Sequence, residues 1–263
     1  MPSKTKIACI GCSYTRGVKP NLNKSYPNTL YDLLKKETPD VEVYNCGITG
    51  SSSKLHKTML DWVEDQINPD VIVYQITNDC RTQIIYGDNK NLSPYAFEIN
   101  KKYDDYYNVD ISNNKWACLP LYAYLGTVLP KDFDKDNETI QSFYKTYIEK
   151  QSILTYQQFL SMCLYKYHYE APSPVNYLDY IADIDYIHKY SKTKMLSFFW
   201  ENETLVDYDN HMKKHKQQTF NGTSIEQVFQ NQNKNINDYS LDLQKHLNPD
   251  GNYIVAEWVK ENI

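Results

Sequence analysis

The sequence predicts an α/β fold in which helices cover a parallel β-sheet. Within the first 80 residues, short apolar runs alternate with amphipathic stretches in the order β-α-β-α-β. Strands that alternate with helices in this way pair in parallel, because each helix carries the chain back along the sheet. The chain of 263 residues is long enough to bury a sizeable core. We therefore predict a single domain over residues 1–263.

Each element of this first part has local support. Apolar runs that end in glycine or in polar turn residues predict strands, whereas leucines at helical spacing and serines ahead of an apolar stretch predict helices. The predicted strands are Lys6–Ile10, Val41–Tyr44 and Val71–Ile76, and the predicted helices cover Tyr26–Lys36 and the segment that begins at Ser51–Ser53.

The middle of the chain, residues 82–192, has a different character. It is rich in tyrosine and is too long for one crossover helix. Helical patterns occur at Tyr144–Ile148, Tyr156–Tyr165 and Tyr177–Tyr190. We therefore predict a helical, Tyr-rich insert that forms a cap within the domain.

The last part of the chain returns to the sheet. Lys194–Trp200 is predicted to be a further strand, and the polar segment Asp207–Asp238 to be partly loop. Asn248 followed by Pro249 is a typical helix start, so a terminal helix is predicted over Pro249–Lys260.

Composition narrows the class of protein. The chain has 28 basic and 33 acidic residues, a net charge of −5, which argues against nucleic-acid binding. It contains no apolar run long enough to span a membrane and no signal-peptide pattern at its start. We therefore expect a cytoplasmic protein, or one released by lysis, whose six cysteines are reduced thiols.

Two patterns that resemble metal sites are better explained structurally. Cys9 and Cys12 have the Cys-x-x-Cys spacing, but Cys9 lies inside a predicted strand and no second pair exists. His211 and His215 are four residues apart, but the glutamate of a zincin is missing and two lysines lie between them. No metal or organic cofactor is expected.

Four short polar segments stand out, three of them directly after predicted strands. They are Gly11–Gly17 after the first strand, Asn45–Ser51 after the second, Thr77–Asp79 after the third, and Asp242–Gly251 at the start of the terminal helix. The carboxyl ends of parallel strands form one rim, where ligands of open α/β sheets bind. These segments are therefore expected to lie close together.

The residues in these segments predict nucleophilic catalysis. A serine hydroxyl such as that of Ser13 becomes a good nucleophile only when a base removes its proton, and His246 is the candidate base. Asp242 could orient the imidazole. The backbone N–H groups of Ser13 and Gly47, with the side-chain amide of Asn78, could bind the oxyanion.

At these four segments the chain resembles the SGNH (GDSL-type) hydrolase family over roughly residues 5–81 and 194–258. The resemblance implies a three-layer αβα, flavodoxin-like sandwich with a central parallel sheet. It also implies that Ser13 is the nucleophile, that His246 is the base, and that Gly47 and Asn78 serve the oxyanion hole. Family members mostly cleave carboxylic esters, often acetyl groups on carbohydrates, which implies a small-molecule or carbohydrate ester as substrate.

Two departures from the family pattern leave alternatives open. Ile76 stands where the family usually has glycine. Asp242 precedes His246 by four residues, one more than usual, and Leu243 occupies the expected aspartate position. Either the loop bulges by one residue or a Ser–His dyad operates; Asp238 and Asp250 are poorer orienting candidates.

The only two arginines, Arg16 and Arg81, fall in or beside the predicted rim. Because arginine binds carboxylate or phosphate through two parallel hydrogen bonds, one of them could contact an anionic group of the substrate. The alternative is an internal ion pair, for example with Asp79.

The sequence thus favours a serine ester hydrolase. Two other functions remain open: an acyltransferase, in which an acceptor sugar outcompetes water, and a non-catalytic binding protein that keeps the fold.

Overall fold

Helices lie on both faces of a seven-stranded, mostly parallel sheet in the computed structural model of the protein. The structure describes residues 4–18, 24–77, 83–87, 97–111, 116–120, 141–142, 144–149, 154–165, 174–214, 222–242 and 245–263. This architecture confirms the predicted α/β class and the three-layer αβα arrangement.

The described elements follow one another in this order. The strands are β1 (Thr5–Gly11), β2 (Val41–Gly47), β3 (Val71–Ile76), β4 (Gln83–Gly87), β5 (Phe97–Tyr103), β6 (Tyr106–Ile111), β7 (Trp116–Pro120), β8 (Lys194–Phe199) and β9 (Thr223–Ser224). The helices are α1 (Ser13–Arg16), α2 (Tyr26–Glu37), α3 (Ser53–Gln66), α4 (Tyr156–Tyr165), α5 (Pro174–Tyr190), α6 (Asn202–Lys214), α7 (Ile225–Asn231) and α8 (Pro249–Asn262), with a π-helical turn at Tyr144–Ile148 and a 3₁₀ turn at Ile236–Tyr239.

The sheet order is β5-β6-β2-β1-β3-β8-β9. All neighbouring strands pair in parallel except β5 and β6, which form an antiparallel hairpin at one edge. Gly11 pairs with Gly47 at the ends of β1 and β2, and Ile76 pairs with Phe199 at the ends of β3 and β8. The carboxyl ends of neighbouring central strands are therefore level, and the segments that follow them lie on one rim.

Alternate residues of the central strands enter two separate cores. On β1, Ile7 and Cys9 face the core under α2 and α8, whereas Ala8 and Ile10 face the core under α3 and α5. Burial on both faces explains why these strands read as continuous apolar runs.

We had expected the segment 82–192 to be helical, but it also contains strands. Its first part contains β4 to β7, and the β5–β6 hairpin extends the central sheet. Tyrosine favours strands as readily as it packs between helices, so tyrosine content alone did not separate the two. Helices appear where they were predicted later in the segment, in α4 and α5. The division of the chain into a domain and a cap stays a prediction.

The predicted polar segment Asp207–Asp238 is also more regular than expected. Helix α6 continues to Lys214, because Leu205, Tyr208 and Met212 place a buried apolar stripe on it. The terminal helix begins as predicted, with Pro249 in its first turn and the Asn248 side chain accepting a hydrogen bond from the Gly251 N–H.

None of the helices in the described part of the chain combines the length and the apolar character needed to cross a bilayer.

Candidate active site

Ser13 opens a single helical turn directly after β1. The turn is closed by two backbone hydrogen bonds, from Arg16 N to the Cys12 carbonyl and from Gly17 N to the Ser13 carbonyl, each 2.8 Å long. Gly17 ends the turn with a φ of 84°, a backbone conformation that glycine adopts more easily than any other residue. Ser13 is only 6% exposed, so its hydroxyl is held in a largely desolvated position on the rim.

Three predicted site residues form a continuous chain of hydrogen bonds. The Ser13 Oγ atom lies 2.9 Å from His246 Nε2, and His246 Nδ1 lies 2.7 Å from Asp242 Oδ2. A carboxylate only accepts, so the Nδ1 atom carries the proton that it donates to Asp242. In this tautomer the Nε2 atom accepts from the Ser13 hydroxyl, which is the arrangement that general-base catalysis requires.

The one-residue excess between Asp242 and His246 is absorbed by a turn. Lys245 adopts a φ of 59°, and its N–H donates to the Asp242 carbonyl at 3.1 Å. The His246 N–H also donates to Asp242 Oδ1, at 3.2 Å. The geometry therefore corresponds to the bulged loop rather than to a Ser–His dyad, although positions 243–244 lie outside the described residues.

The base of this loop is closed by backbone pairing. Leu241 N donates to the His246 carbonyl, and Asn248 N donates to the Tyr239 carbonyl. The Lys245 side chain forms an ion pair with Glu226 on α7. The two backbone pairs fix the position of His246 in spite of the irregular turn that precedes it.

Sequence reasoning missed an aromatic stack beside the histidine. The Tyr14 ring lies parallel to the Trp200 ring with centroids 4.2 Å apart, and it contacts the His246 imidazole with centroids 4.8 Å apart. Tyr14 directly follows the nucleophile candidate and Trp200 directly follows β8, so both come from the rim. The available signal was their position at strand ends: Tyr14 lies in the polar segment after the first predicted strand, and Trp200 is the last residue of the predicted strand Lys194–Trp200.

Gly47 does not have the environment expected of an oxyanion-hole donor. Its N–H already donates to the Asn45 side-chain oxygen at 3.0 Å, so this amide is not free for a substrate. A Cβ atom at Gly47 would lie 2.3 Å from Arg16 N, which shows that the residue is needed for close packing of α1 against β2. The assignment of the Gly47 amide to the oxyanion hole is therefore corrected.

The neighbouring glycine, Gly50, lies in the turn that follows β2. It is buried and has a φ of 73°. Ile48, two residues before it, and Ser51, directly after it, both donate to the Gly11 carbonyl, through a backbone N–H at 2.9 Å and a hydroxyl at 3.1 Å. Gly50 is thus tied to the end of β1, two residues before Ser13.

The remaining predicted residues divide into two groups. Asn78 and Arg81 lie outside the described residues, as does Asp79. Arg16 pairs with Asp110 on β6 at 2.5 Å and also donates to the Val109 carbonyl at 3.2 Å. The described contacts of Arg16 therefore match the internal ion-pair alternative, with Asp110 as the partner.

Of the two patterns that resembled metal sites, only the pair Cys9 and Cys12 lies wholly within the described residues. In the described part of the chain, no group of three or more His, Cys, Asp or Glu side chains could hold a metal ion. Cys9 and Cys12 are both buried free thiols, and burial raises the pKa of Cys9. His215 lies outside the described residues.

Comparison with known proteins gives matches in structure only. No protein-family model matches the chain, and no curated protein matches its sequence. The solved structures that resemble it include esterases of the SGNH hydrolase family. AlinE4, an SGNH-hydrolase family esterase, is 20% identical over 29% of this chain and 41% of its own, with a TM-score of 0.26.

Two further structures match almost the whole chain at lower identity. A variant of Axe2, an acetylxylan esterase from Geobacillus stearothermophilus, is 13% identical over 99% of this chain and 95% of its own, with a TM-score of 0.44. A two-domain esterase (CEX) active on acetylated mannans is 13% identical over 99% of this chain and 49% of its own, with a TM-score of 0.41. The chain thus spans less than half the length of AlinE4 and of CEX. At these identities and TM-scores, the similarity assigns no function to it.

Proposed function

We propose that this protein is a serine ester hydrolase of the SGNH type. The observation that carries the proposal is the continuous chain from Ser13 Oγ to His246 Nε2, 2.9 Å, and from His246 Nδ1 to Asp242 Oδ2, 2.7 Å. A serine, a histidine and a carboxylate in this relation form the constellation that activates a serine for attack on an acyl carbon.

The proposed reaction has two halves. His246 Nε2 accepts the Ser13 hydroxyl proton as Oγ bonds to the acyl carbon, and the same proton then passes to the oxygen of the leaving alcohol as the ester bond breaks. Water attacks the resulting acyl-serine in the second half, again giving its proton to His246, which returns it to Ser13 Oγ as the carboxylic acid leaves. Asp242 stabilises the imidazolium that forms in each half.

The oxyanion that develops in each half needs hydrogen-bond donors already in place. We assign the backbone N–H of Ser13, the side-chain amide of Asn78 and, in place of Gly47, the backbone N–H of Gly50. The anchoring of Ile48 and Ser51 to the Gly11 carbonyl supports the assignment of Gly50, because it fixes that turn beside the nucleophile.

We further propose that the substrate is a small acyl ester, such as an acetyl group, on a carbohydrate or a similar alcohol. This finer assignment depends on the resemblance of the four sequence segments to SGNH hydrolases. Release of acetate from an acetylated oligosaccharide, compared with p-nitrophenyl acetate, tests it directly. A rate on the oligosaccharide that does not exceed the rate on unrelated acyl esters would contradict it.

Hydrolysis of p-nitrophenyl acetate by the purified protein tests the proposed activity. We expect turnover by the wild-type protein and a loss on the order of 10⁴-fold or more in Ser13→Ala. Ser52→Ala is the matched control, because Ser52 is equally buried but makes no side-chain cap hydrogen bond at the start of α3. Equal turnover by Ser13→Ala and Ser52→Ala would refute the proposal.

A further inference from the structure

A buried carboxamide lies directly behind the nucleophile turn. The Gln75 side chain, on β3, is completely buried, and its oxygen accepts a hydrogen bond from the Cys12 N–H at 2.9 Å. The same oxygen accepts from the Cys12 thiol at 3.2 Å and from the Thr15 hydroxyl at 3.3 Å. Donors from both ends of the nucleophile turn thus converge on one carbonyl oxygen.

The nitrogen of the same carboxamide contacts the end of β3. Gln75 Nε2 donates to the Ile76 carbonyl at 2.8 Å. Ile76 is the last residue of β3, and the chain continues from it through Thr77 to Asn78. One side chain therefore links the turn that carries Ser13 to the strand end that leads to Asn78.

The Gln75 carboxamide fits against the nucleophile turn because Gly11 has no side chain. A Cβ atom at Gly11 would lie 2.6 Å from Gln75 Oε1 and 2.1 Å from Thr15 Oγ1. Both distances are far shorter than a nonbonded contact allows. Glycine at position 11 is therefore what lets the carboxamide reach the backbone of the nucleophile turn.

The nucleophile turn needs such support because it is short. It comprises only Ser13–Arg16, and Cys12 provides no side-chain cap for its first amides. Apart from the two backbone hydrogen bonds that close the turn, the bond to Gln75 is what fixes the amide of Cys12, the residue before Ser13. The bond to Gln75 fixes the peptide between Gly11 and Cys12, and the bond from Arg16 N to the Cys12 carbonyl fixes the next peptide, which carries the Ser13 N–H. Together the two bonds set where the Ser13 N–H points.

We propose that Gln75 is a positioning residue for the oxyanion hole. By holding the Cys12 amide at a fixed distance from the end of β3, its carboxamide restricts the direction of the Ser13 N–H. This proposal rests on the esterase function proposed above. A neutral amide suits the position because it offers an acceptor and a donor together without burying a charge.

The test is the kinetics of Gln75→Leu with p-nitrophenyl acetate, because leucine keeps most of the volume and removes both hydrogen-bonding groups. Small displacements of reacting groups are costly, so we expect kcat to fall on the order of 10²-fold while KM changes by less than about threefold. The control is Leu60→Ala, which removes a buried side chain of α3 outside this hydrogen-bond network and lowers thermal stability without touching the nucleophile turn.

Gln75→Glu provides a second readout that loss of packing would not produce. A protonated carboxyl group offers one acceptor and one donor, as the amide does, whereas the carboxylate offers only acceptors and would face the Ile76 carbonyl. Burial raises the pKa of a carboxyl group, so the neutral form extends to higher pH than usual. The activity of Gln75→Glu relative to wild type should therefore fall as pH rises through that titration.

The pH dependence of wild-type activity is recorded in parallel. Dividing by it removes the contribution of ionisable groups that are already present near Gln75. These are the Cys12 thiol, which contacts Gln75, and the Tyr26 phenol, which contacts it through Thr15. Burial raises the pKa of Tyr26 well above its usual value.

The outcomes separate this inference from the function on which it rests. Inactive wild-type protein would contradict both the proposed esterase function and the role of Gln75. Active wild type, with kcat in Gln75→Leu no lower than in Leu60→Ala at equal stability, would overturn the role of Gln75 alone. If Gln75→Leu does not fold, the Gln75→Glu profile decides: a pH-independent ratio to wild type overturns the inference, and a falling ratio supports it.

Discussion

The two halves of the candidate site are built in different ways. Ser13 is 6% exposed and sits on a turn enclosed by the ends of β1, β2 and β3. The Asp242 side chain, by contrast, is 44% exposed and reaches His246 from a loop that contains a residue with positive φ. The nucleophile half is therefore set by the core of the sheet, whereas the acid–base half is set by a loop outside it.

This difference has a physical consequence. A group fixed by close-packed strands cannot adapt to a change of shape, because its neighbours have no space to move. An exposed carboxylate on a loop can be partly replaced by water, which also solvates a positive charge. We therefore expect the serine half to be intolerant of small additions and the aspartate to be only partly essential.

The largest effect should come from His246→Ala, which removes the base that both halves of the proposed reaction use. We expect kcat for p-nitrophenyl acetate to fall about 10⁴- to 10⁶-fold, as for the loss of a base in a serine triad. His188→Gln is the control, since His188 is also hydrogen-bonded to a serine, Ser197, at 2.8 Å. Comparable losses in the two variants would show that the serine–histidine contact at Ser13 has no special role.

A smaller effect is expected for Asp242→Asn. The neutral amide cannot stabilise the imidazolium, but the site is partly open to water, so kcat should fall about 10²- to 10³-fold rather than the ~10⁴-fold seen when such an aspartate is buried. Asp250→Asn, in the first turn of α8, should leave kcat unchanged. A loss in Asp242→Asn as large as that in His246→Ala would break the contrast between the two halves.

Gly47→Ala tests the rigidity of the serine half. The added methyl group would lie 2.3 Å from Arg16 N and 2.8 Å from Arg16 Cα, both backbone atoms. We expect the free energy of unfolding to fall by about 1–3 kcal/mol, as for overpacking of a tight core. We expect kcat to fall about tenfold because α1 must shift. Denaturant unfolding measures the free energy of unfolding, and steady-state kinetics measure kcat. Unchanged values would show that α1 can move to accommodate the methyl group at no cost.

Lys245→Gly is the matched change in the acid–base half and should have the smallest effect. Glycine relieves the cost of the φ of 59° at this position, about 1 kcal/mol. It also removes the ion pair with Glu226, whose partly exposed lysine makes it worth less than about 1 kcal/mol. We expect thermal stability and kcat to stay close to wild type. A fall in kcat like that of Gly47→Ala would mean that the loop is as rigid as the sheet.

The same contrast explains what could be predicted from the sequence. The strands around Ser13 were predictable, because burial on both faces leaves continuous apolar runs that end at turn residues. Ser13, His246 and Asp242 were found by their type and by their position after strands or before a helix. The structure brings these three together as expected, and it resolves the extra residue before His246 as a turn.

The errors arose where local pattern does not determine contacts. The β5–β6 hairpin was missed because tyrosine and lysine suit an edge strand as well as a helix. The Gly47 amide was assigned to the oxyanion hole because its sequence position cannot reveal that Asn45, two residues away, already accepts its hydrogen. The role of Gln75 depends on contacts across 60 or more positions of sequence, which no local spacing encodes.

Labelling with a fluorophosphonate probe, followed by peptide mass spectrometry, tests the central claim most directly. It reports on the nucleophile alone, whatever the natural substrate. We expect one adduct on Ser13 in the wild-type protein, a much slower reaction in His246→Ala and no adduct at this peptide in Ser13→Ala. An adduct on another residue, or none on a folded wild-type protein, would contradict it.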